Sequence, residues 1–177
     1  ESTDSINSGF EEVMKEGPLC KEQMRDCKFT FTHFVPHEDT AHRGLSQLGP
    51  ASRRACMGAL LTAGTTILEP MLAIEVRVPT DLVGNVATVL SGKRGKVLDM
   101  SQKGAASIIV GEIPAAETFT LSEAMRGQTA GRATWNTSFK AWTELPKSIA
   151  STAIAEIRKR KGLAPEPPGI DEYIDRE

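Results

Sequence analysis

The sequence is poor in cysteine and in aromatic residues. Only three of its 177 residues are cysteines, Cys20, Cys27 and Cys56, an odd number at wide spacings. This pattern excludes a disulfide framework and indicates a reducing compartment. Aromatic residues make up 5% of the chain, so any hydrophobic core has to consist mainly of aliphatic side chains.

Long apolar runs and a strong excess of one charge are also lacking. No run approaches the roughly 20 apolar residues of a membrane-spanning helix, and no signal peptide opens the chain. The formal net charge is −2 and the pI is about 6.0, which excludes a global basic field that would attract nucleic acid. Any contact with RNA therefore has to come from local basic patches.

The first third of the chain predicts two helices separated by a strand and a polar loop. "DSINSGFEEVMKEGP" predicts a helix that ends at Gly17-Pro18, and "CKFTFTHFV", residues 27–35, alternates as a strand does. The loop "PHEDTAHRG" follows at 36–44, and a second helix is expected from about Gln47 to Ala63. The residues of this helix that we expect to be buried are Leu48, Ala55, Ala59 and either Met57 or Leu60.

Residues 70–145 predict a complete second unit. "MLAIEVRVP" reads as a strand, "TDLVGNVATVLSGKRG" as a helix, and two further strands are joined around Lys103-Gly104. A helix from Leu121 to Thr129 and a last strand, "ATWNTSFKAWTEL", complete the unit. The order β-α-β-β-α-β is typical of the split βαβ, ferredoxin-like fold.

The chain closes with a helix and a proline-rich tail. "PKSIASTAIAEIRKRKG" predicts a helix that buries Ile149, Ala153 and Ile157. Its basic end, Arg158 to Lys161, is expected to lie in solvent, where the helix dipole favours cations.

One metal-binding and one catalytic interpretation of the histidines are disfavoured, the first by its spacing and the second by its place in a single loop. Cys27, His33, His37 and His42 match no zinc finger or ribbon. His37, Asp39 and Ser46 could form a hydrolase triad on paper, but they lie close together around one loop and no oxyanion motif accompanies them. The sequence therefore predicts neither a metal site nor a catalytic residue.

"SGKRGK", residues 91–96, has the composition of a phosphate-binding loop but not its order. A P-loop requires glycine, four residues and then Gly-Lys-Ser/Thr, which is absent. A helix end followed by a basic turn is the favoured interpretation. Lys93, Arg94 and Lys96 of this turn are kept as candidate contacts to RNA phosphates.

Several motifs resemble the elongation factor 2 family, the translocation GTPases of archaea and eukaryotes. "EDTAHRGLSQLGPASRRA" resembles the segment around that family's modified histidine, and "EPMLAIEVRVP", "KRGKV" and "MRGQTAGRA" resemble its last ferredoxin-like domain. The tail "PEPPGIDEYID" looks archaeal. Leu45-Ser46 departs from the family pattern, in which glycine or Pro-Ala often follows His-Arg-Gly. The positions that match around the histidine are Asp39, His42, Arg43, Gly44, Gln47, Pro50, Arg53, Arg54 and Ala55.

The resemblance implies an α+β fold in two domains. Residues 1–69 and 146–177 would be part of domain IV, with a ribosomal-protein-S5-like α/β fold whose initial strands are expected before Glu1. Residues 70–145 would be the ferredoxin-like domain V. The family's nucleotide-binding domain has no counterpart in this sequence, so GTP and Mg²⁺ are expected to bind outside it and the fragment itself is not expected to be an enzyme.

The resemblance also implies a function. The chain would be the C-terminal, ribosome-interacting portion of a cytoplasmic factor that promotes movement of tRNA and mRNA, and as a fragment it would be monomeric. His42 would be the diphthamide site at the tip of a loop formed with Asp39, Arg43 and Gly44. The implied partners are ribosomal RNA in the decoding region, tRNA and the diphthamide-forming enzymes.

An independent ferredoxin-like domain that binds RNA or senses a ligand is the alternative. An RNA-recognition domain of this fold needs aromatic residues on its central strands. "MLAIEVRVP" and "ASIIVGEIP" contain none. A small-molecule pocket stays open as an alternative at this stage.

Overall fold

A computed structural model describes residues 2–174 of the chain. Residue 1 and residues 175–177, which the sequence assigns to the first domain, lie outside the described residues. In chain order the helices and strands are α1 (Ser2–Lys15), α2 (Leu45–Ala63), β1 (Leu68–Pro79), α3 (Val83–Gly92), β2 (Lys96–Lys103), β3 (Ala106–Pro114), α4 (Leu121–Thr129), β4 (Thr134–Glu144) and α5 (Lys147–Arg160).

The described chain divides into two compact units. One contains residues 2–67 and 146–174, and the other contains residues 68–145. The division lies two residues before the one that the sequence suggests, because Leu68 and Glu69 already pair with Glu144 and Thr143 in the sheet. The predicted α+β class is confirmed.

The second unit is a four-stranded antiparallel sheet with two helices. The strand order is β2-β3-β1-β4, and the predicted succession β-α-β-β-α-β is confirmed. Ile74, Val76 and Val78 of β1 point to one face because side chains alternate along a strand. On that face they share an aliphatic core with residues of β3, α3 and α4, among them Ile109, Leu90 and Met125.

The first unit is built on a close crossing of α1 and α2. Gly9 of α1 is buried against α2, and a Cβ on it would lie 2.3 Å from the carbonyl oxygen of Gly49. The Ser52 hydroxyl donates to the Ile6 carbonyl at 2.8 Å in the same contact. The small side chains therefore allow the two backbones to approach each other directly.

This crossing corrects the predicted buried face of α2. Ala55 and Ala59 are exposed, whereas Met57 and Leu60 are both buried, together with two glycines of the helix. A pattern of apolar side chains cannot identify glycines as contact residues, although they form part of the buried face. Leu48 is half-buried.

The predicted strand at 27–35 is wrong. All strands of residues 2–174 lie in the second unit, and the segment from Phe29 to Val35 has no assigned secondary structure. Phe31 is 64% exposed and Val35 is 75% exposed. An alternating sequence forms a strand only where a neighbouring backbone accepts and donates its hydrogen bonds, and the described part of the first unit supplies none.

The interpretation of the α5 basic end as solvated is wrong for one residue. Arg158 is buried, and its guanidinium donates to the carbonyls of Leu19, at 2.6 Å, and Ala164. Ile149, Ala153 and Ile157 are half-buried, in keeping with an inward face. Among residues 2–174, no helix combines the length and apolarity needed to cross a membrane.

Candidate functional site

The loop at 36–44 has its own internal hydrogen bonds. Residues Thr40–Arg43 form a short 3₁₀ turn that leads into α2. The Asp39 carboxylate caps this turn, because its Oδ1 accepts from the Ala41 N–H at 2.9 Å. The His42 N–H donates to the Asp39 carbonyl at 3.2 Å. Local side-chain capping of this kind gives the loop a defined conformation.

Arg43 closes the loop across its base. Its Nε donates to the carbonyl of His37 at 2.7 Å, and its Nη2 donates to the carbonyl of Glu38 at 3.0 Å. The resemblance suggests a cation next to the modified histidine. In the structure, the Arg43 guanidinium also stabilises the loop, because two of its N–H groups bind backbone carbonyls at the start of the loop.

His42 is exposed on this loop, as expected from the surrounding charged residues. Half of its side-chain surface is accessible. Its Nδ1 lies 3.0 Å from Nε2 of Gln47 in the first turn of α2, and its Nε2 lies 4.0 Å from Oδ2 of Asp39. The sequence does not predict the contact to Gln47. Its one indication in the sequence is that Gln47 follows His42 by five residues, where α2 begins.

His37 lies beside His42 in the same loop. The centroids of the two rings are 4.7 Å apart and the ring planes are inclined by 60°. The Nδ1 of His37 accepts from the N–H of Asp39 at 3.1 Å. His37 therefore binds a backbone donor and not a carboxylate, which is the opposite of what a hydrolase triad requires.

Gly44 and the atypical Leu45-Ser46 pair connect the loop to α2. Gly44 has φ −79° and ψ 169°, an extended conformation open to any residue, and a Cβ there would meet nothing within 4 Å. Leu45 begins α2 and is 59% exposed. The departure from the family pattern thus lies in the first helical turn, where it places an apolar side chain on the surface beside the loop.

The basic turn after α3 is partly a structural ion pair. Arg94 donates to both carboxylate oxygens of the buried Glu69, at 2.7 and 2.9 Å, and to Glu117 at 2.9 Å. The hydrogen bonds to Glu69 raise the pKa of the Arg94 guanidinium above its ordinary value. Arg94 also has φ 54°, an uncommon conformation for a residue with a Cβ. These contacts argue against Arg94 as a ligand for RNA.

Lys93 and Lys96 are placed differently from Arg94. The Lys93 ammonium donates to the Thr120 hydroxyl at 2.5 Å, and Lys96 is exposed at the start of β2. Both keep charge at the surface of the second unit. Within residues 2–174, no three His, Cys, Asp or Glu side chains are grouped as a metal site would require.

Comparison with known proteins gives two adjoining family matches. The model described as "Elongation factor G, domain IV" matches residues 1–64, and the one described as "Elongation factor G C-terminus" matches residues 66–153. Elongation factor 2 of Cenarchaeum symbiosum is 78% identical over 177 residues, which is 100% of this chain and 24% of that protein. Elongation factor 2 of Staphylothermus marinus is 44% identical over 174 residues, 98% of this chain and 24% of its own length.

A solved structure is similar in fold. A crystal structure of a protein from Thermus thermophilus matches with a TM-score of 0.74 and 27% identity, covering 89% of this chain and 24% of that one. The chain thus spans about a quarter of the length of each of these relatives.

Proposed function

We propose that this chain, which belongs to the elongation factor 2 family, is the C-terminal ribosome-interacting portion of a translocation GTPase. Support comes from the 78% identity to an archaeal relative of which the chain spans 24%. A GTPase centre with GTP and Mg²⁺ would then lie in the remaining part of such a protein. The portion described by this sequence would act through binding, in the cytoplasm, and would not catalyse a reaction.

The observation that carries the proposal is the exposed imidazole of His42 on a loop that is held at both ends. Arg43 ties the start of the loop, and Gln47 contacts the ring from α2. Such a loop can enter a narrow RNA site without a large loss of conformational entropy, because much of its ordering is already present before binding.

His42 is the proposed site of diphthamide. The modification would add a quaternary ammonium and an amide to an exposed ring, which would allow attraction to phosphate and additional hydrogen bonds. Lys93 and Lys96 in the second unit are proposed as separate contacts to RNA phosphates, because lysine binds phosphate as a point charge.

Mass spectrometry of the full-length factor tests the assignment of His42. The wild type, His42→Ala and His37→Ala would be produced in a host that has the diphthamide-forming enzymes. We expect the mass increase in the wild type and in His37→Ala and its complete loss in His42→Ala. A mass increase that maps to His37, or that persists in His42→Ala, would contradict the proposal.

A translocation assay tests the ribosomal role. The full-length factor and archaeal ribosomes would be mixed with a bound tRNA pair, and movement of the mRNA would be followed by primer extension to the ribosome edge. His42→Ala should slow movement while leaving GTP binding unchanged. If His42→Ala and an Arg43→Gln variant both moved mRNA at the wild-type rate, the loop would have no part in translocation.

A further inference from the structure

We infer that Gln47 is a positioning residue that fixes the tautomer and orientation of the His42 imidazole, and that this contact from α2 distinguishes His42 from His37, whose Nδ1 accepts from the loop backbone, as the residue to be modified. The second half of this inference rests on the proposed function. The first half concerns the unmodified chain alone and depends only on the geometry of the loop.

The two ring nitrogens of His42 face groups of opposite hydrogen-bonding character. The amide nitrogen of Gln47 can only donate, and it lies 3.0 Å from Nδ1. Nδ1 must therefore accept, which places the ring proton on Nε2. On that side the ring faces the Asp39 carboxylate, whose Oδ2 is 4.0 Å from Nε2 and can only accept. Both contacts favour the same neutral tautomer.

Gln47 is attached to a more rigid support than the loop itself. It lies in the first turn of α2, and its own N–H donates to the Gly44 carbonyl at 3.1 Å. Asp39 is fixed in turn by the Ala41 N–H. A ring held between a helix and a capped turn presents the same edge to an approaching enzyme at each encounter, which reduces the entropy lost on docking.

His37 is the built-in comparison. It is exposed, belongs to the same loop and lies 4.7 Å from His42, measured between ring centroids. Its Nδ1 is held by a backbone N–H of the loop, whereas that of His42 is held by a side chain of α2. The His42 ring is therefore held by a helix, through Gln47, and the His37 ring is held by the loop backbone. We expect a modifying enzyme to distinguish the two imidazoles by this difference.

Nuclear magnetic resonance of the ¹⁵N-labelled, unmodified chain tests the tautomer. Spectra would be recorded about two pH units above the ordinary imidazole pKa of about 6.5. In the wild type, Nδ1 of His42 should have the shift of an unprotonated nitrogen. Gln47→Glu places an acceptor there and should move the proton to Nδ1, whereas Gln47→Met should raise the minor tautomer roughly fivefold, as expected for the loss of one ordinary hydrogen bond.

Gln23→Met is the matched control, since Gln23 is an exposed glutamine outside the loop, and it should leave the His42 signals unchanged. If Gln47→Glu left Nδ1 unprotonated, or if Gln23→Met altered it equally, the positioning role would be overturned. A merely structural role of Gln47 would shift many signals without exchanging the two nitrogens of one ring.

Modification of the full-length factor tests the selection of His42. In a host with the modifying enzymes, Gln47→Glu should be modified at His42 at least about fivefold more slowly than the wild type and Gln23→Met, and Gln47→Met should have an intermediate rate. Altered tautomers with unchanged modification rates would refute the selection role. Altered tautomers with an unmodified wild type would refute the proposed diphthamide site and leave the positioning of the ring established.

Discussion

At the scale of single residues, Arg158 shows how a basic side chain at a helix end can serve the fold. Its guanidinium is buried and donates to the carbonyls of Leu19 and Ala164. Lys161, one turn further on, donates to the Lys21 carbonyl at 2.7 Å. The end of α5 is therefore fastened to the segment that follows α1.

Arg158→Met should lower the free energy of unfolding of the first unit by about 1 to 3 kcal/mol, because two carbonyls in a partly buried site would lose a charged donor. Arg160→Met, an exposed position on the same helix, should change it by no more than about 0.5 kcal/mol. Urea denaturation followed by circular dichroism measures both. Equal effects of the two substitutions would mean that the guanidinium contacts contribute nothing to stability.

Cys20 gives a prediction for alkaline pH. The thiol is 1% exposed, and burial raises its pKa above the ordinary value. Above about pH 8.5 the unfolded chain therefore loses this proton before the folded chain does. Since the folded state then binds more protons, stability must fall as pH rises. The free energy of unfolding should decrease from pH 8 to 10, and less steeply in Cys20→Ala; identical slopes would argue against the shift.

Whether the position of a single side chain could be predicted from the sequence depends on how far apart in sequence its contacts lie. The exposure of His42 could be predicted because its neighbours in sequence are charged and would be costly to bury. The burial of Arg158 could not, because one of its acceptors, Leu19, is 139 residues away in sequence. The contact between Gln47 and His42 is intermediate in predictability. The two residues are only five apart in sequence, but one lies in the loop and the other in α2.

At the scale of elements, the contact between α1 and α2 depends on glycine. A Cβ on Gly9 would lie 2.3 Å from one backbone oxygen and 2.8 Å from the backbone nitrogen of Arg53. Neither atom belongs to a flexible side chain, so the helices themselves would have to separate. Gly127 of α4 is the contrasting case, because nothing lies within 4 Å of its missing Cβ.

Gly9→Ala should destabilise the first unit by about 1 to 3 kcal/mol through overpacking, even though alanine favours a helix. Gly127→Ala should instead stabilise the second unit by about 0.5 to 1 kcal/mol, since only helix propensity changes there. Thermal unfolding measures both effects: the melting temperature should fall for Gly9→Ala and rise for Gly127→Ala. A stabilising Gly9→Ala would mean that α1 and α2 do not approach closely in solution.

The elements of the second unit could be predicted because each strand finds its partner within residues 68–145. Local periodicity and tertiary pairing therefore agree for Ile74, Val76 and Val78. Residues 27–35 have an equally clear alternation, but their strand was wrongly predicted. The two segments differ in their backbone hydrogen-bond partners. A strand needs a neighbouring strand to pair with, and an alternating sequence alone does not show that one is present.

At the scale of the whole molecule, the second unit has the features of an independently folding domain. Its sheet, both helices and its aliphatic core all lie within residues 68–145. A polypeptide of these residues should unfold in one cooperative thermal transition. Met125→Asp, which would bury a charge at a fully buried position, should abolish the transition at a cost of several kcal/mol. A gradual, non-cooperative transition of the unsubstituted polypeptide would contradict the prediction.

The pairing of Leu68 with Glu144 also bears on the order of folding. Because these residues face each other across β1 and β4, the two ends of the second unit leave it side by side. Once that unit has folded, the points at which residues 2–67 and 146–174 connect to it lie on neighbouring strands, so only a short loop remains to be closed. Before it has folded, they have to close a loop through the whole stretch from Leu68 to Leu145, at an additional entropic cost of roughly 3 kcal/mol. We therefore expect the inner unit to fold first during synthesis, and the end of α5 to bind the backbone at Leu19 and Lys21 only after that unit has folded.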